Sequence, residues 1–404
     1  VLLRKVPGPE ERLLVPVGEA VDGARPAILA ALGQAGAGVW PKGPVTSYVP
    51  ALDGLRALAV IAVMVYHSGL ILGGYLGVDV FFTLSGFLIT SLLIDEYSAR
   101  GTIGLRNFYY RRALRLLPAL FTFLTVWTIV LLSTVPTTFW SVIWTYVALV
   151  TLYVANWALI LGSPLGIFGH TWSLAIEEQF YFVWPLMILF LLRSFRSRAN
   201  VMLLLLCSAG VSLLWRFYLT LGTNTLDRVY WATDTHADGL LIGSALALLV
   251  GLKVFSGVAL RYASVGAAIV LVYLLTFTPL GAAYAYGVTS VVAFVTAILI
   301  LDVISARSWL AIALEQPWIA WTGRISYGLY LWHFPVFFQL GVLRIGSGHD
   351  ISYEGVALAW VVTFVAAAAS YVLIERPALA LKARFAWQRG ETVLPVPSSP
   401  EWHP

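Results

Sequence analysis

The run LDGLRALAVIAVMVYHS (Leu52–Ser68) sets an arginine and a histidine eleven residues apart in an otherwise apolar stretch. At 100° per residue, eleven steps bring Arg56 and His67 back to within about 20° of one helix face, about 16 Å apart along the axis. Asp53 lies on the same side one turn earlier. A charge at mid-membrane costs at least about 2.5 kcal/mol. A neutral imidazole escapes most of that cost and, with an ordinary pKa of about 6.5, can take a proton near neutral pH. A lone histidine of this kind is either a hydrogen-bonded packing residue or a general base, and the alignment with Arg56 favours chemistry.

Six further stretches put polar groups where an apolar chain has no structural use for them. In GYLGVDVFFTLSGFLIT the odd residue is Asp79, positioned to pair with an arginine or to orient a histidine, whereas Gly77, Ser85 and Gly86 read as a notch for close helix packing. YYRRALRLLPAL places Arg112 and Arg115 on one helical face with Arg111 beside them. Guanidinium forks suit phosphates, and Arg115 lies too far inside the apolar run for a simple interfacial anchor. In GHTWSLAIEEQFYFVWP, His170 precedes an aromatic helix interrupted by Glu177, Glu178 and Gln179. Adjacent carboxylates diverge by about 100°, so one can face a cavity while the other meets a partner. His333 lies inside ISYGLYLWHFPV, and Glu375–Arg376 close a later apolar run. Asp234, His236 and Asp238 sit at the mouth of another run, but without a second histidine nearby they make a poor metal site, and no metal is expected.

The elements that must hold these groups are membrane helices. The chain is 60% hydrophobic and 11% charged, and its 16 Trp and 19 Tyr suit two lipid–water boundaries. The expected fold is all-α, a polytopic transmembrane bundle. Candidate spans fall at 55–72, 76–95, 114–132, 139–160, 172–192, 200–219, 237–251, 262–278, 285–301, 325–345 and 354–373. The arginine-rich loops all fall on one side if a single element near 139–171 fails to cross completely, which gives about ten crossings, with eleven as the alternative, and both termini in the cytoplasm. Arg228 and Arg344 are then the two basic residues on the wrong side. Ser308–Trp321 reads as a helix lying along the interface. Residues 1–48 read as a cytoplasmic, partly disordered tail with a short helix at Pro26–Gln34, 49–378 as the membrane domain, and 379–404 as a cytoplasmic tail. The basic residues cluster between apolar runs, so they signal topology and phosphate contacts rather than nucleic-acid binding. Cys207 is the single cysteine, which excludes a disulfide framework.

The segments LDGLRALAVIAVMVYH, GVDVFFTLSGFLIT, RRALRLLPAL, TWSLAIEEQFYFVWP, ADGLLIGSALA, ISYGLYLWHFPV and IERP, in that order from Tyr48 to Pro377, resemble the signatures of the acyltransferase 3 family of integral-membrane O-acyltransferases. That family includes enzymes that O-acetylate O-antigen and exopolysaccharide and enzymes that O-acylate macrolides. The resemblance implies an acyl-CoA donor, most simply acetyl-CoA, and a hydroxyl acceptor on a sugar, in the cytoplasmic membrane. It carries the family's Arg–ten residues–His pattern onto Arg56 and His67. Its Arg-x-x-Arg pattern falls on Arg112 and Arg115, and its Trp-Ser-Leu–Glu-Glu–Phe-Tyr pattern on Trp172, Ser173, Leu174, Glu177, Glu178, Phe180 and Tyr181. Read this way, His67 is a general base or a transient acyl carrier, Arg112 and Arg115 with Arg111 hold the donor phosphates, and Arg56 holds the donor or stabilises charge. Glu177 or Glu178 orients an imidazole or the sugar. Asp79, Trp172, Tyr181, Asp238 and His333 stand as supporting residues. His236 occupies a position where the family pattern predicts no fixed chemistry.

Many relatives carry an additional extracytoplasmic esterase-like domain. About 27 residues follow Pro377, so none is expected here, which tilts the acceptor towards a small or lipid-linked molecule, with polysaccharide and macrolide also open. Oligomeric state is open, a homodimer included. The rival reading is a proton-coupled transporter or flippase, in which the same intramembrane Glu, His and Arg would form a relay. Against it, no pair of interrupted helices recurs in two halves.

Overall fold

The computed structural model describes residues 48–222, 226–250, 258–281, 287–305, 308–344 and 352–387, and the predicted helix at Pro26–Gln34 lies outside them. The described chain is helical throughout. We label its helices α1 (Pro50–His67), α2 (Gly77–Arg100), α3 (Leu105–Thr134), α4 (Trp140–Thr151), α5 (Ala155–Ile160), α6 (Trp172–Ser194), α7 (Arg198–Gly222), α8 (Leu226–Trp231), α9 (Thr233–Val250), α10 (Val258–Phe277), α11 (Val288–Ser305), α12 (Trp309–Leu314), α13 (Pro317–Arg324), α14 (Ser326–Gln339), α15 (Tyr353–Ser370) and α16 (Arg376–Trp387). Among the described residues eight helical stretches are long and apolar enough to cross a bilayer. They are α1, α2, α3, α6, α7, α10, α11 and the α15–α16 rod, and α9 and α14 pack among them. The protein is therefore a polytopic membrane bundle, and its outer surface is greasy as such a bundle requires: Leu203, Val211, Leu214, Tyr218 and Leu221 of α7 are all exposed.

Several elements depart from the hydropathy reading in instructive ways. The predicted span at 139–160 is two short helices broken at Leu152–Val154, with Tyr153 at φ +54°. Twelve residues of α4 rise only about 18 Å, short of a bilayer core of about 30 Å. The break is satisfied from outside its own helix. Gln179 of α6 donates to the Tyr153 carbonyl at 2.8 Å and to Asn156 at 2.9 Å, and Asn156 donates to the Trp231 carbonyl at 3.1 Å. Lipid tolerates broken backbone only where side chains replace the lost bonds in this way. The segment expected along the interface, Ser308–Trp321, folds as α12 and α13, each started by a clear signal: the Ser308 hydroxyl accepts the Ala311 N–H at 3.0 Å, and Pro317 opens α13. Trp309, Ile312 and Trp318 point outward from this pair. The last rod runs past residue 378 to Trp387, with a π-type turn at Tyr371–Glu375.

Small residues set the tightest crossings. A Cβ on Gly86 would overlap the backbone of Leu240, and one on Gly243 the backbone of Thr83, so α2 and α9 approach as closely as their main chains allow. Gly54 and Gly323 do the same where α12 and α13 meet α1. Gly77 packs on the Ala59 carbonyl, as the notch reading expects for Gly77 and Gly86. Ser85 behaves differently and hydrogen-bonds Glu177.

Candidate active site

Two polar clusters lie in the interior, joined by α1 and α6. The first is built on histidines. His67 is the final residue of α1, so it stands at the end of its helix rather than along its middle. Nδ1 of His333 lies 2.7 Å from the Tyr330 carbonyl and 3.1 Å from that of Leu329. Carbonyl oxygens only accept, so this Nδ1 carries hydrogen and the neutral ring presents Nε2 as a lone pair. Nε2 of His333 is 3.1 Å from Nδ1 of His67. His67 therefore donates from Nδ1, and its own Nε2 carries the available lone pair. The order of partners fixes the tautomer, as in any site that prepares an imidazole base. The backbone N–H of Arg344 donates to the His67 carbonyl at 2.8 Å, and the rings of Tyr66 and Phe334 flank the imidazole at 5.1 and 5.2 Å.

His170, on the turn before α6, completes this cluster. Its Nε2 meets the Leu331 carbonyl at 3.2 Å, and its ring stacks on Phe334 at 4.9 Å and lies 5.6 Å from His333. The Tyr330 hydroxyl donates to the His170 carbonyl at 2.8 Å, so Ser173 must be the donor in its 2.6 Å bond to the same hydroxyl.

The second cluster lies further along the same helices. Arg112 of α3 pairs with Glu178 at 3.1 Å and stacks 3.1 Å over the Tyr181 ring. Glu177 turns the other way, towards the hydroxyls of Ser85 at 3.2 Å and Tyr181 at 3.4 Å. The expected divergence of the two carboxylates is thus present. Arg56 has a loose pairing with Asp53 at 3.8 Å, and Asp53 also accepts the Tyr48 hydroxyl at 2.8 Å. Burial, with the Asp53 carboxylate beside it, pushes the Tyr48 hydroxyl up to about 12, which keeps it a donor at neutral pH. Arg115 lies within electrostatic reach of Arg56 and Arg112, is exposed, and forms no salt bridge among the described residues. From Arg56 to His67 the rise along α1 is about 16 Å, and from His170 to Glu177 along α6 about 10 Å.

Not every residue singled out in the sequence joins these clusters. Arg111 points away from Arg112 and pairs with Glu96 of α2 at 3.4 Å, because neighbouring residues on a helix diverge. Asp238 pairs with the buried Arg216 and accepts from Ser290, which makes it a clamp between α7, α9 and α11 rather than part of the site. Asp79 meets a histidine, His236, at 3.3 Å, and not an arginine. Trp172 packs against Phe82, Tyr230 and His236 between that pair and His170. No group of three or more His, Cys, Asp and Glu fit to hold a metal occurs among the described residues. The sequence reading assigned no role to His170, Tyr330 or Arg216. The signal for Arg216 was present, since it is a guanidinium inside an apolar run exactly as Arg115 is, and Tyr330 is distinguished only by its partners.

Comparison with known proteins identifies the family. Residues 49–375 match the acyltransferase 3 family, described as an acyltransferase domain. The chain is 36% identical over 365 residues to a Bacillus subtilis protein provisionally named peptidoglycan O-acetyltransferase YrhL, covering 82% of this chain and 55% of that one. It is 35% identical over 356 residues to the peptidoglycan O-acetyltransferase OatA of Listeria monocytogenes, covering 82% and 56%. A Staphylococcus aureus protein provisionally named an O-acetyltransferase is 33% identical over 363 residues, covering 82% and 57%. The chain thus spans little more than half the length of these relatives. No solved structure matches it significantly. With the family pattern matched over most of its length and carried by helices that bring its histidine, arginines and glutamates into two linked clusters, the chain belongs to the acyltransferase 3 family of multi-pass membrane acyltransferases.

Proposed function

We propose that this protein transfers an acetyl group from acetyl-CoA to a hydroxyl of a cell-wall glycan in the cytoplasmic membrane, with His67 as general base. The observation that carries the reading is the fixed tautomer of His67, whose Nε2 lone pair is left available by the His333 bond behind it. In the transfer, Nε2 takes the acceptor's hydroxyl proton while the oxygen attacks the thioester carbonyl. The C–O bond forms, the C–S bond breaks, and the proton passes from His67 to the leaving thiolate, which regenerates the neutral base.

The donor is an anionic substrate, and the residues present suit it. Arg115 is an exposed guanidinium without a salt bridge among the described residues, and Arg56 and Arg112 lie within electrostatic reach of it, so the three together favour an anionic group. Glu178 holds Arg112 in place. The basic loop residues Arg100, Arg106, Arg193 and Arg196 lie at the end of the bundle opposite His67. The positive-inside rule therefore puts the arginine cluster towards the cytosol and His67 towards the far side. Of the two exceptions, Arg228 is tied by two hydrogen bonds to Asp234 at 2.6 and 2.9 Å, and Arg344 caps carbonyls of its own loop. The names of the relatives favour a glycan polymer over a macrolide as acceptor.

The test is purified protein with acetyl-CoA and an N-acetylglucosamine oligosaccharide, free CoA being measured with and without the sugar. The expected result is sugar-dependent CoA release that His67→Ala abolishes while the protein remains folded. Wild-type turnover by His67→Ala overturns the assigned base. Solute flux in liposomes without CoA release overturns acyl transfer in favour of transport.

A further inference from the structure

Three buried polar atoms around His67 have no hydrogen-bond partner among the described residues: the Tyr66 hydroxyl, Oδ2 of Asp79 and Nδ1 of His170. Their residues are 3%, 3% and 4% exposed, so water at the surface does not serve them. A buried polar group left unpaired costs about 1–3 kcal/mol. Three in one neighbourhood are a standing cost unless something hydroxylated occupies it.

The neighbourhood is continuous. The Tyr66 ring contacts His67 at 5.1 Å and Tyr75 at 5.3 Å. Asp79 follows Tyr75 by one helical turn and holds His236, whose ring contacts Trp172 at 5.4 Å. Trp172 is two residues from His170, and His170 contacts His333, the partner of His67. The path begins and ends at His67. The chemistry of the unpaired atoms is mixed. Tyr66 offers a donor. His170 bonds the Leu331 carbonyl through Nε2, which leaves Nδ1 as an acceptor. Asp79 offers a second acceptor, and it is not free to turn away. His236 gives its Nε2 hydrogen to the Tyr230 carbonyl at 2.8 Å, so a bond between its Nδ1 and Asp79 requires one proton held between them. That pair fixes Oδ1 and leaves Oδ2 directed elsewhere. One donor and two acceptors beside aromatic rings match the several hydroxyls of a sugar ring. A lone alcohol or a fatty chain would leave most of them unmet.

We propose that Tyr66, Asp79 and His170 form the acceptor subsite and bind the hydroxyls of a sugar ring that do not react, so that the reacting one meets Nε2 of His67. This rests on the acyl-transfer reading. His236 acts through Asp79 as a positioning residue.

The decisive variant is Tyr66→Phe. Its hydroxyl has no partner among the described residues, so its removal should leave the melting temperature unchanged or raised. With the N-acetylglucosamine oligosaccharide as probe, the acceptor KM should rise five- to thirty-fold at unchanged acetyl-CoA KM. Asp79→Asn should do the same. Calorimetric titration of the oligosaccharide into His67→Ala protein, which cannot turn over, should show binding that Tyr66→Phe weakens by the same factor. An unchanged acceptor KM and unchanged binding in Tyr66→Phe overturn the proposal and leave buried water as the occupant. An equal rise in donor KM also overturns it. If the wild type releases no CoA but still binds the sugar with this dependence, acyl transfer fails and the sugar site stands.

Discussion

His333 is the direct hydrogen-bond partner of His67, and that makes it the sharpest probe of the proposed base. Its Nδ1 is committed to two main-chain carbonyls, and its Nε2 accepts from His67 at 3.1 Å. Replacing it with alanine removes that acceptor and frees His67 to shift its hydrogen to Nε2, where it blocks proton abstraction. The cost is one buried hydrogen bond, about 1–3 kcal/mol, or roughly 5- to 150-fold in rate. The loss belongs in kcat and not in the acetyl-CoA KM, because the arginine cluster is untouched; any change in the acceptor KM reports the contact of His333 with His170. His333→Gln, whose side-chain carbonyl can accept the same hydrogen, should recover part of it. Free CoA is best counted chromatographically, since Cys207 is exposed and would itself react with a thiol reagent. A His333→Ala protein that is folded and turns over at the wild-type kcat would refute the tautomer argument. So would a loss confined to the donor KM.

Two further outcomes test the arginine cluster. Arg115→Ala should raise the acetyl-CoA KM by about 10- to 150-fold, the worth of a charge-assisted hydrogen bond of about 1.5–3 kcal/mol, at an unchanged acceptor KM and with little change in melting temperature, because Arg115 has no salt bridge among the described residues. Glu178→Ala should instead cost stability, since it strands the half-buried Arg112 without its carboxylate; about 3–5 kcal/mol is the usual size for a broken buried pair, readable as a lower thermal midpoint in detergent, and a Glu178→Ala/Arg112→Leu double variant should recover part of it.

What the sequence disclosed follows from which interactions are local. The alignment of Arg56 with His67, the divergence of Glu177 and Glu178, and the close packing at Gly77 and Gly86 depend on helix geometry alone, and each is legible from spacing. The His67–His333 bond joins residues 266 positions apart, so no periodicity reveals it. The same limit explains Arg111: sequence proximity suggested one cationic patch, but the direction of a side chain and the position of Glu96 on the next helix decide its partner. Hydropathy sees 139–160 as one apolar run because Tyr153 is itself apolar, and the break there is made stable by Gln179 from another helix. Spacing in the sequence speaks only to metal binding at His236, for which a second histidine nearby is missing. In the structure its ring bonds the buried Asp79 carboxylate and the Tyr230 carbonyl.

The two clusters are only as useful as the rod between them is rigid, and α1 is held along its whole length. At its start, Gly54 and the backbone of Asp53 lie directly against α12 and α13, so nothing larger than hydrogen fits at Gly54 or Gly323. At its end, the Arg344 N–H binds the His67 carbonyl, and the next residue, Ser68, accepts from Trp360 of α15 at 3.0 Å. Between them, Ala59 lies under Gly77 of α2. A helix pinned at both ends and in the middle cannot change the distance from its arginine to its histidine. On the proposed reading, the reach of about 16 Å must then come from the donor. A donor whose phosphates rest on one cluster and whose acyl carbon meets the other needs a flexible arm of that order. The imidazole, held by His333, does not travel to meet it. Fixed protein and extended donor together place the reacting carbon at one depth, and that is the condition for a base at a helix end to act on an acceptor arriving from the opposite side.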